Sequence, residues 1–340
     1  MPNPRDRVLR LGTRGSTLAR LQSELVADAL RARGHDVELV VVVTAGDVRP
    51  PDTAWGEGAF VGALEHALLS REIDLAVHSA KDVPIDDEGP RQAERREAVG
   101  AGGDAAAGSA TGPLVIAAYP WREDARDALV LPTSCVPAPV PTPDPVRCGT
   151  ITSGLLPIGS RVGTDSPRRA GFLRAARPDL EIVPLHGNVD TRLRRLDEEA
   201  ADALVLAVAG LVRLGHATRI TCALDPELVP PAPAQGALAV QCRSDDGEVV
   251  AALSDLDDPS VRLAVETERA VLRAAGGGCR APLGAFATVS DGVIDLVTGA
   301  IDSDGQPTFG RSSAPARRWR ELAEGAARSL VRGGSAGGVK

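Results

Sequence analysis

The chain has 340 residues, more than one compact core usually organises, so its length indicates two or three domains. The formal net charge of −8 excludes binding of nucleic acid through overall charge, and an anionic ligand would need a local cluster of cations. Aromatic residues make up only 2% of the chain, so its core must consist of Val, Leu, Ile and Ala.

The five cysteines are odd in number and none lies in C-x-x-C spacing. This pattern predicts neither a zinc site nor a disulfide framework. The first fifteen residues contain no apolar signal core, and no apolar run is long enough to cross a membrane. We therefore expect a cytoplasmic protein that binds no metal, no nucleic acid and no membrane.

The first part of the chain alternates predicted strands and helices. Apolar patterns predict strands over residues 8–11, 37–44 and 73–77, and helices over residues 18–30 and 60–68. The run at 37–44 is almost continuously apolar, which is typical of a strand that is buried on both faces. This βαβαβ order predicts a parallel, doubly wound sheet.

Two segments interrupt the pattern. Residues 86–112 are polar, rich in Gly and Ala, and aperiodic, and residues 132–145 hold six prolines. Both are typical of surface insertions without a catalytic role.

A second α/β unit follows. Ser166 offers an N-cap oxygen and Pro167 suits the first helical position. Its predicted strands are residues 161–163, 181–185 and 203–208, its second helix is residues 188–199, and a strand at 238–242 crosses back. From Pro259 on, a helix, a glycine run, strands at 285–289 and 293–300 and a final helix at 314–331 predict a small α+β domain.

Basic and capping residues follow several predicted strands, at the sheet edge where open α/β folds bind ligands. Arg14 and Ser16 follow the first strand, and arginines recur after two later strands, at Arg168, Arg169 and Arg192. Each arginine alone would be an ordinary solvated side chain. Their recurrence at equivalent strand ends predicts a site for carboxylates, because guanidinium pairs with them in a planar fork.

Two further features, the pair Lys81 and Asp82 and the residue Cys279, are candidate functional groups when considered together with these cations. Lys81 and Asp82 follow another strand, and Pro84 stops any helix there, so both should lie on a fixed turn. Taken alone they would be a surface pair that contributes little. Cys279 follows three glycines at the end of a predicted helix; alone it would be an ordinary small cysteine in a flexible turn.

Together, these segments resemble the porphobilinogen deaminase (hydroxymethylbilane synthase) family. The matching motifs stand in the family's order and span nearly everything outside the two insertions: Thr13-Arg14-Gly15-Ser16, His78-Ser79-Ala80-Lys81-Asp82-Val83-Pro84, Arg122 to Ala128, Val162-Gly163-Thr164, Ser166 with Arg168-Arg169, Gly187-Asn188-Val189 with Thr191-Arg192, Leu206 to Leu211, Gln235-Gly236-Ala237, Glu268-Arg269 and Gly277-Gly278-Cys279.

The resemblance implies a transferase of tetrapyrrole (porphyrin) biosynthesis, a cytoplasmic monomer that condenses four porphobilinogen molecules head to tail and releases ammonia each time. It implies a covalent dipyrromethane cofactor on Cys279 through a thioether, and Asp82 as the catalytic group beside the pyrrole nitrogens. It also implies a set of binders for acetate and propionate side chains: Arg14, Ser16, Lys81, Ser166, Arg168, Arg169, His186 and Arg192.

The implied fold is two doubly wound α/β domains resembling type II periplasmic binding proteins, plus a small α+β C-terminal domain. The expected bounds are residues 1–121 with a return at about 233–246, residues 122–232, and residues 247–340 as the cofactor-attachment domain.

Four positions depart from the family pattern. Ala45 and His186 replace usual arginines, Glu57 replaces a usual lysine in the lid, and Ala234 replaces a usual glycine. Fewer cations predict a weaker hold on a polyanion. The open alternatives are therefore a divergent paralogue with weak or altered activity, and a non-enzymatic two-domain clamp that binds a small anion.

Overall fold

The structure is a computed structural model that describes residues 7–43, 61–85, 114–135, 147–151, 154–277 and 281–335. Within these residues the strands form three sheets. No helix in these ranges is long and apolar enough to cross a bilayer.

The first sheet has helices on both faces. In spatial order its strands are β2 (Val37–Val41), β1 (Leu9–Thr13), β3 (Leu75–Ser79), β11 (Leu238–Arg243) and β4 (Leu114–Ala118). Helices α1 (Thr17–Arg31) and α6 (Gly247–Ser254) cover one face, and α2 (Gly62–Leu69) covers the other. The predicted βαβαβ unit is confirmed, since β1 pairs in parallel with β2 and with β3.

The sheet is mixed rather than wholly parallel. Strand β11 enters from the second α/β unit and runs antiparallel to both β3 and β4. The prediction that the strand over residues 37–44 is buried on both faces is wrong. Strand β2 lies at the edge of the sheet, and its residues are partly or fully exposed.

The second sheet is also mixed and covered on both faces. Its strands, in spatial order, are β6 (Arg147–Cys148), β10 (Cys222–Leu224), β5 (Asp127–Val130), β9 (Ala203–Ala207), β7 (Arg161–Gly163) and β8 (Glu181–Val183). Helix α3 (Pro167–Ala176) packs on one face, and α4 (Val189–Asp197) and α5 (Val208–Arg213) pack on the other.

A disulfide joins Cys148 to Cys222, which corrects the expectation drawn from cysteine spacing. The two residues are 74 positions apart in sequence, but β6 and β10 are neighbours in the second sheet. Strand pairing therefore brings the two sulfurs together. Cys242 is buried as a free thiol.

The third sheet is antiparallel and packs on two helices. Helix α7 (Pro259–Ala274) precedes strands β12 (Leu283–Ser290), β13 (Val293–Ile301) and β14 (Pro307–Pro315), and α8 (Trp319–Ser335) follows them. Strand β14 was not predicted, and the predicted start of the last helix at 314 is wrong. Ala314 pairs with Ile294 in the sheet, and the helix begins at Trp319. The three-domain bounds given above stay a prediction.

Ala234 has a left-handed backbone conformation, with φ of +66°, and is fully buried. An L-residue in this conformation costs about 1–2 kcal/mol relative to glycine. Replacing Ala234 by glycine removes one buried methyl group, which costs about 0.8 kcal/mol. The relief of strain exceeds the loss of apolar burial, so we expect Ala234→Gly to raise the free energy of unfolding by up to about 1 kcal/mol.

Thermal unfolding of the natural protein and the variant measures this gain. Ala239→Gly is the matched control, because Ala239 is also buried but lies inside the regular strand β11. There, glycine should lower stability. A lower melting temperature for Ala234→Gly would contradict the account of strain.

Candidate active site

A cleft of about 700 Å³ opens between the first two sheets. Its walls come from the start of α1, the turn after β3, the starts of α4 and α5, and the segment before β11. The walls carry five cationic side chains: Arg14, Lys81, Arg169, Arg192 and Arg213. Against these stand two carboxylates, Asp82 and Asp190. The cleft is therefore cationic in a chain whose net charge is −8.

Side-chain caps fix the helix starts around the cleft. Ser16 Oγ accepts the Ala19 N–H at 3.3 Å in α1, and Asn188 Oδ1 accepts the Thr191 N–H at 2.8 Å in α4. Both caps line the cleft. Ser166 caps α3 in the same way but is not among the cleft-lining residues. The positive helix ends thus add to the field of the cations.

The turn that carries Lys81 and Asp82 is held by a residue of the C-terminal part of the chain. Residues Ala80–Asp82 form one 3₁₀ turn directly after β3. Arg269, from α7, is buried and donates to the carbonyls of Val83 and Pro84, each at 2.9 Å. The sequence predicted a fixed turn from Pro84 alone. The structure adds a guanidinium that ties down the carbonyls after the turn.

Lys81 and Asp82 face the cleft in an environment that shifts both groups. Burial lowers the pKa of Lys81 to about 8, although Asp82 opposes this shift. Lys81 Nζ donates to Gln235 Oε1 at 3.1 Å. The Asp82 side chain is exposed at the surface of the cleft, and partial desolvation by the surrounding walls raises its pKa. Lys81 and Arg14 oppose that rise.

Arg168 and Arg169 behave differently although they are adjacent. Arg169 lines the cleft, and its Nη2 lies 2.7 Å from Asp127 Oδ1. Arg168 is buried, pairs with Asp127 Oδ2 at 2.8 Å and does not line the cleft. Burial would raise the pKa of Asp127, but the two arginines outweigh it and hold that pKa well below its usual range.

Gln235 connects this pair to Lys81. Its Nε2 donates to Asp127 Oδ1 at 2.9 Å, while its Oε1 accepts from Lys81. Because Arg168 contacts Asp127 and does not line the cleft, it supports the cleft wall from behind.

His186 and Arg192 share one carboxylate. His186 Nδ1 lies 3.0 Å from Asp165 Oδ1, and Arg192 Nη2 lies 3.1 Å from Asp165 Oδ2. Arg192 lines the cleft, whereas His186 does not. The ring of His186 turns towards Asp165, and its predicted contact with the ligand stays a prediction.

Sequence reasoning missed four residues of this region. Arg213 lines the cleft and donates to Gly236 O at 2.6 Å, and burial lowers its pKa to about 10. It is the last residue of α5, the short helix that directly follows β9, so the rule that ligands bind at strand ends could have found it. The other three are Asp165, Gln235 and Arg269. Gln235 and Arg269 stand in motifs of the family resemblance, but sequence reasoning assigned none of the three a role, because their contacts at the cleft join distant segments.

Two expected residues, Cys279 and Glu57, lie outside the described residues, as does the departure at Ala45. Helix α7 ends as predicted, with Gly276 at φ of +69° directly after the C-cap residue. A Cβ at Gly277 would stand 2.8 Å from the side chains of both Leu272 and Ala281. Close packing therefore favours glycine at position 277, and the left-handed backbone favours glycine at position 276.

The cleft fits a ligand with several carboxylates. Five cationic side chains line it against two lining carboxylates. Asp127 and Asp165 pair with Arg169 and Arg192. Arg213 Nε, in contrast, is buried without a hydrogen-bond partner in the described structure. A carboxylate supplies the acceptor oxygens that such donors require. The described residues contain no group of three or more His, Cys, Asp or Glu side chains arranged to hold a metal ion.

Comparison with known proteins gives a consistent result. The family model described as "Porphobilinogen deaminase, dipyromethane cofactor binding domain" matches residues 9–94 and 107–251, and the model for the C-terminal domain matches residues 262–315. The porphobilinogen deaminase of Acidothermus cellulolyticus is 44% identical over 312 residues, which cover 90% of this chain and 82% of that protein. That of Syntrophobacter fumaroxidans is 43% identical over 320 residues, which cover 92% and 91%.

Among solved structures, the methionine-binding protein MetQ aligns with 78% of this chain and 96% of its own, with 15% identity and a TM-score of 0.40. The two family models together span most of the chain, and the curated relatives match along nearly their whole length. The chain belongs to the porphobilinogen deaminase family.

Proposed function

We propose that this protein condenses four porphobilinogen molecules into hydroxymethylbilane, and that the cleft holds the growing chain while Asp82 assists each step. The observation that carries the proposal is the meeting of five cationic side chains and Asp82 in one cleft. Each porphobilinogen carries two carboxylates, so a growing chain gains two negative charges per step. Fixed cations orient such a chain and keep it bound between steps.

Asp82 is the proposed catalytic residue. Positive charge develops on the substrate as ammonia leaves, and an ionised carboxylate in the cleft stabilises that charge. Arg269 and Gln235 keep the turn and Lys81 in place. They are positioning residues in this scheme, because neither is placed to contact substrate.

Cys279 is proposed to hold the dipyrromethane cofactor through a thioether. When bound, the cofactor supplies the pyrrole end to which the first substrate is added. We assign ligand carboxylates to the residues that line the cleft: Arg14, Ser16, Lys81, Arg169, Arg192 and Arg213. Ser166, Arg168 and His186, which do not line it, support this set through Arg169, Asp127 and Asp165.

We further propose a monomer that binds neither nucleic acid nor membrane and resides in the cytoplasm. The Cys148–Cys222 bond is the observation that stands against a cytoplasmic location, because disulfides are rare in reducing compartments. A non-enzymatic clamp would need neither Asp82 nor a cofactor thiol, so the presence of both Asp82 and Cys279 in the sequence supports the enzyme.

The test combines two measurements on the natural protein. The intact mass after denaturation should show a covalent adduct of two pyrrole units, and incubation with porphobilinogen should yield hydroxymethylbilane and four equivalents of ammonia. Protein of bare mass that forms no product would contradict the proposal. An adduct with little or no turnover would identify the divergent paralogue instead.

The shifted pKa of Lys81 gives an expected pH dependence. A lysine whose folded-state pKa is lowered to about 8 loses its positive charge as the pH rises through that value. One charge-assisted contact is then lost, worth about 1.5–3 kcal/mol, so KM for porphobilinogen should rise roughly tenfold or more between pH 7 and pH 9.5.

Steady-state kinetics across this range measures the effect, with Lys81→Met as the comparison. The variant should show a high KM with little dependence on pH. An equal rise of KM in both proteins would assign the titration to the amino group of the substrate, and not to Lys81.

A further inference from the structure

Asp165 makes three contacts at the edge of the cleft. Its Oδ1 accepts the Leu185 N–H at 3.0 Å and lies 3.0 Å from His186 Nδ1, and its Oδ2 lies 3.1 Å from Arg192 Nη2. The Asp165 side chain is 21% exposed, so solvent screens the pair with Arg192 only in part. Arg192 is also held at its other end, because its Nε donates to Gly187 O at 2.7 Å.

This arrangement places an internal carboxylate where a ligand carboxylate would bind. Arg192 lines the cleft, and burial lowers its pKa while Asp165 opposes that shift. The Asp165 carboxylate offsets the positive charge of Arg192. An incoming carboxylate must therefore compete with Asp165 for the same guanidinium.

The other contacts of Asp165 allow its ion pair with Arg192 to break. When a ligand takes Nη2 of Arg192, Asp165 keeps the Leu185 amide and the His186 ring as partners. The carboxylate is thus not left unpaired in either state, and exchange between the two anions avoids the penalty of an unsatisfied buried charge.

We propose that Asp165 competes with ligand carboxylates for Arg192 and so lowers the affinity of the cleft for the growing chain at this position. This inference rests on the proposed function. As a consequence, a carboxylate of the growing tetrapyrrole and the Asp165 carboxylate alternate as partners of Arg192 at each step, and the tetrapyrrole does not stay bound there. A cleft with stronger binding at Arg192 would retain product.

The test replaces Asp165 by asparagine, which keeps the shape and removes the charge. Titration calorimetry with succinate, a simple dicarboxylate, should show about fivefold tighter binding to Asp165→Asn than to the natural protein, the change that about 1 kcal/mol gives. KM for porphobilinogen should fall by a similar factor, while kcat does not rise. The contrast between KM and kcat separates competition at Arg192 from a general structural effect.

Asp190→Asn is the control matched in charge. Asp190 also lines the cleft, but its carboxylate lies 2.8 Å from His216 Nε2, so its removal changes the field without freeing Arg192. A second comparison uses Arg192→Gln, in which the further change Asp165→Asn should have no effect on succinate binding.

Equal tightening in Asp165→Asn and Asp190→Asn, or a full effect in the Arg192→Gln background, would overturn the inference. Asp165→Ser is measured in parallel; if neither replacement folds, Asp165 is a requirement for folding and the inference is also overturned. A natural protein that forms no hydroxymethylbilane refutes the proposed function. Normal turnover without a response to Asp165→Asn refutes only the inference about Asp165.

Discussion

Asp82→Asn is expected to reduce turnover by about two orders of magnitude or more, the usual contribution of a positioned acid–base group. Asparagine keeps the shape of the side chain but cannot carry the negative charge that stabilises developing positive charge on the substrate. The turn itself should persist, because Arg269 and the Ala237 carbonyl hold its backbone rather than the Asp82 carboxylate.

The pH profile of turnover provides a second readout for Asp82. Desolvation raises the pKa of this carboxyl, although Lys81 and Arg14 oppose the shift. Only the ionised form stabilises a cation, so turnover of the natural protein should fall on the acid side at a pH above the usual range of an aspartate. In Asp82→Asn this acid limb should be absent.

Single-turnover kinetics and intact mass together check the assignment. Asp190→Asn removes a carboxylate from the same cleft and should cause a much smaller loss. The covalent adduct should remain detectable in Asp82→Asn when the preformed cofactor is supplied. Near-normal turnover of Asp82→Asn would exclude it as the catalytic residue.

Loss of the Cys279 thiol is expected to have an effect of similar or larger size. Serine is a far weaker nucleophile than cysteine near neutral pH, so Cys279→Ser should carry no adduct and should form almost no hydroxymethylbilane. Intact mass after denaturation measures the adduct directly, without relying on activity. The natural protein, expressed in a host that cannot make porphobilinogen, should likewise show the mass of its own chain without an adduct.

Cys242→Ala is the matched control for this prediction. Cys242 is buried within the first sheet, and desolvation raises the pKa of its thiol to about 11, so it forms almost no thiolate at neutral pH. Its removal should leave the adduct in place. An adduct that survives in Cys279→Ser, or disappears in Cys242→Ala, would place the attachment elsewhere.

The sequence by itself determined the features that depend on neighbouring residues. Apolar periodicity predicted strands β1, β2, β3, β7, β8, β9 and β11 and helices α1, α2 and α4, but not β4, β5, β6, β10, α5 or α6. Ser166 was identified as a cap because a cap acts within one helical turn. The turn after β3 was predicted for the same reason, since Pro84 limits the residue beside it. Strand β14 was missed because its small and polar residues lack the apolar alternation of a predictable strand.

Tertiary structure decided the features that depend on pairing between distant segments. Sheet order made β2 an exposed edge strand, reversed β11 against β3, and brought Cys148 beside Cys222. The same packing buried Arg168 on Asp127 but left its neighbour Arg169 in the cleft. Adjacent residues on a helix point in directions about 100° apart, so only the position of the surrounding sheets settles which one meets a ligand.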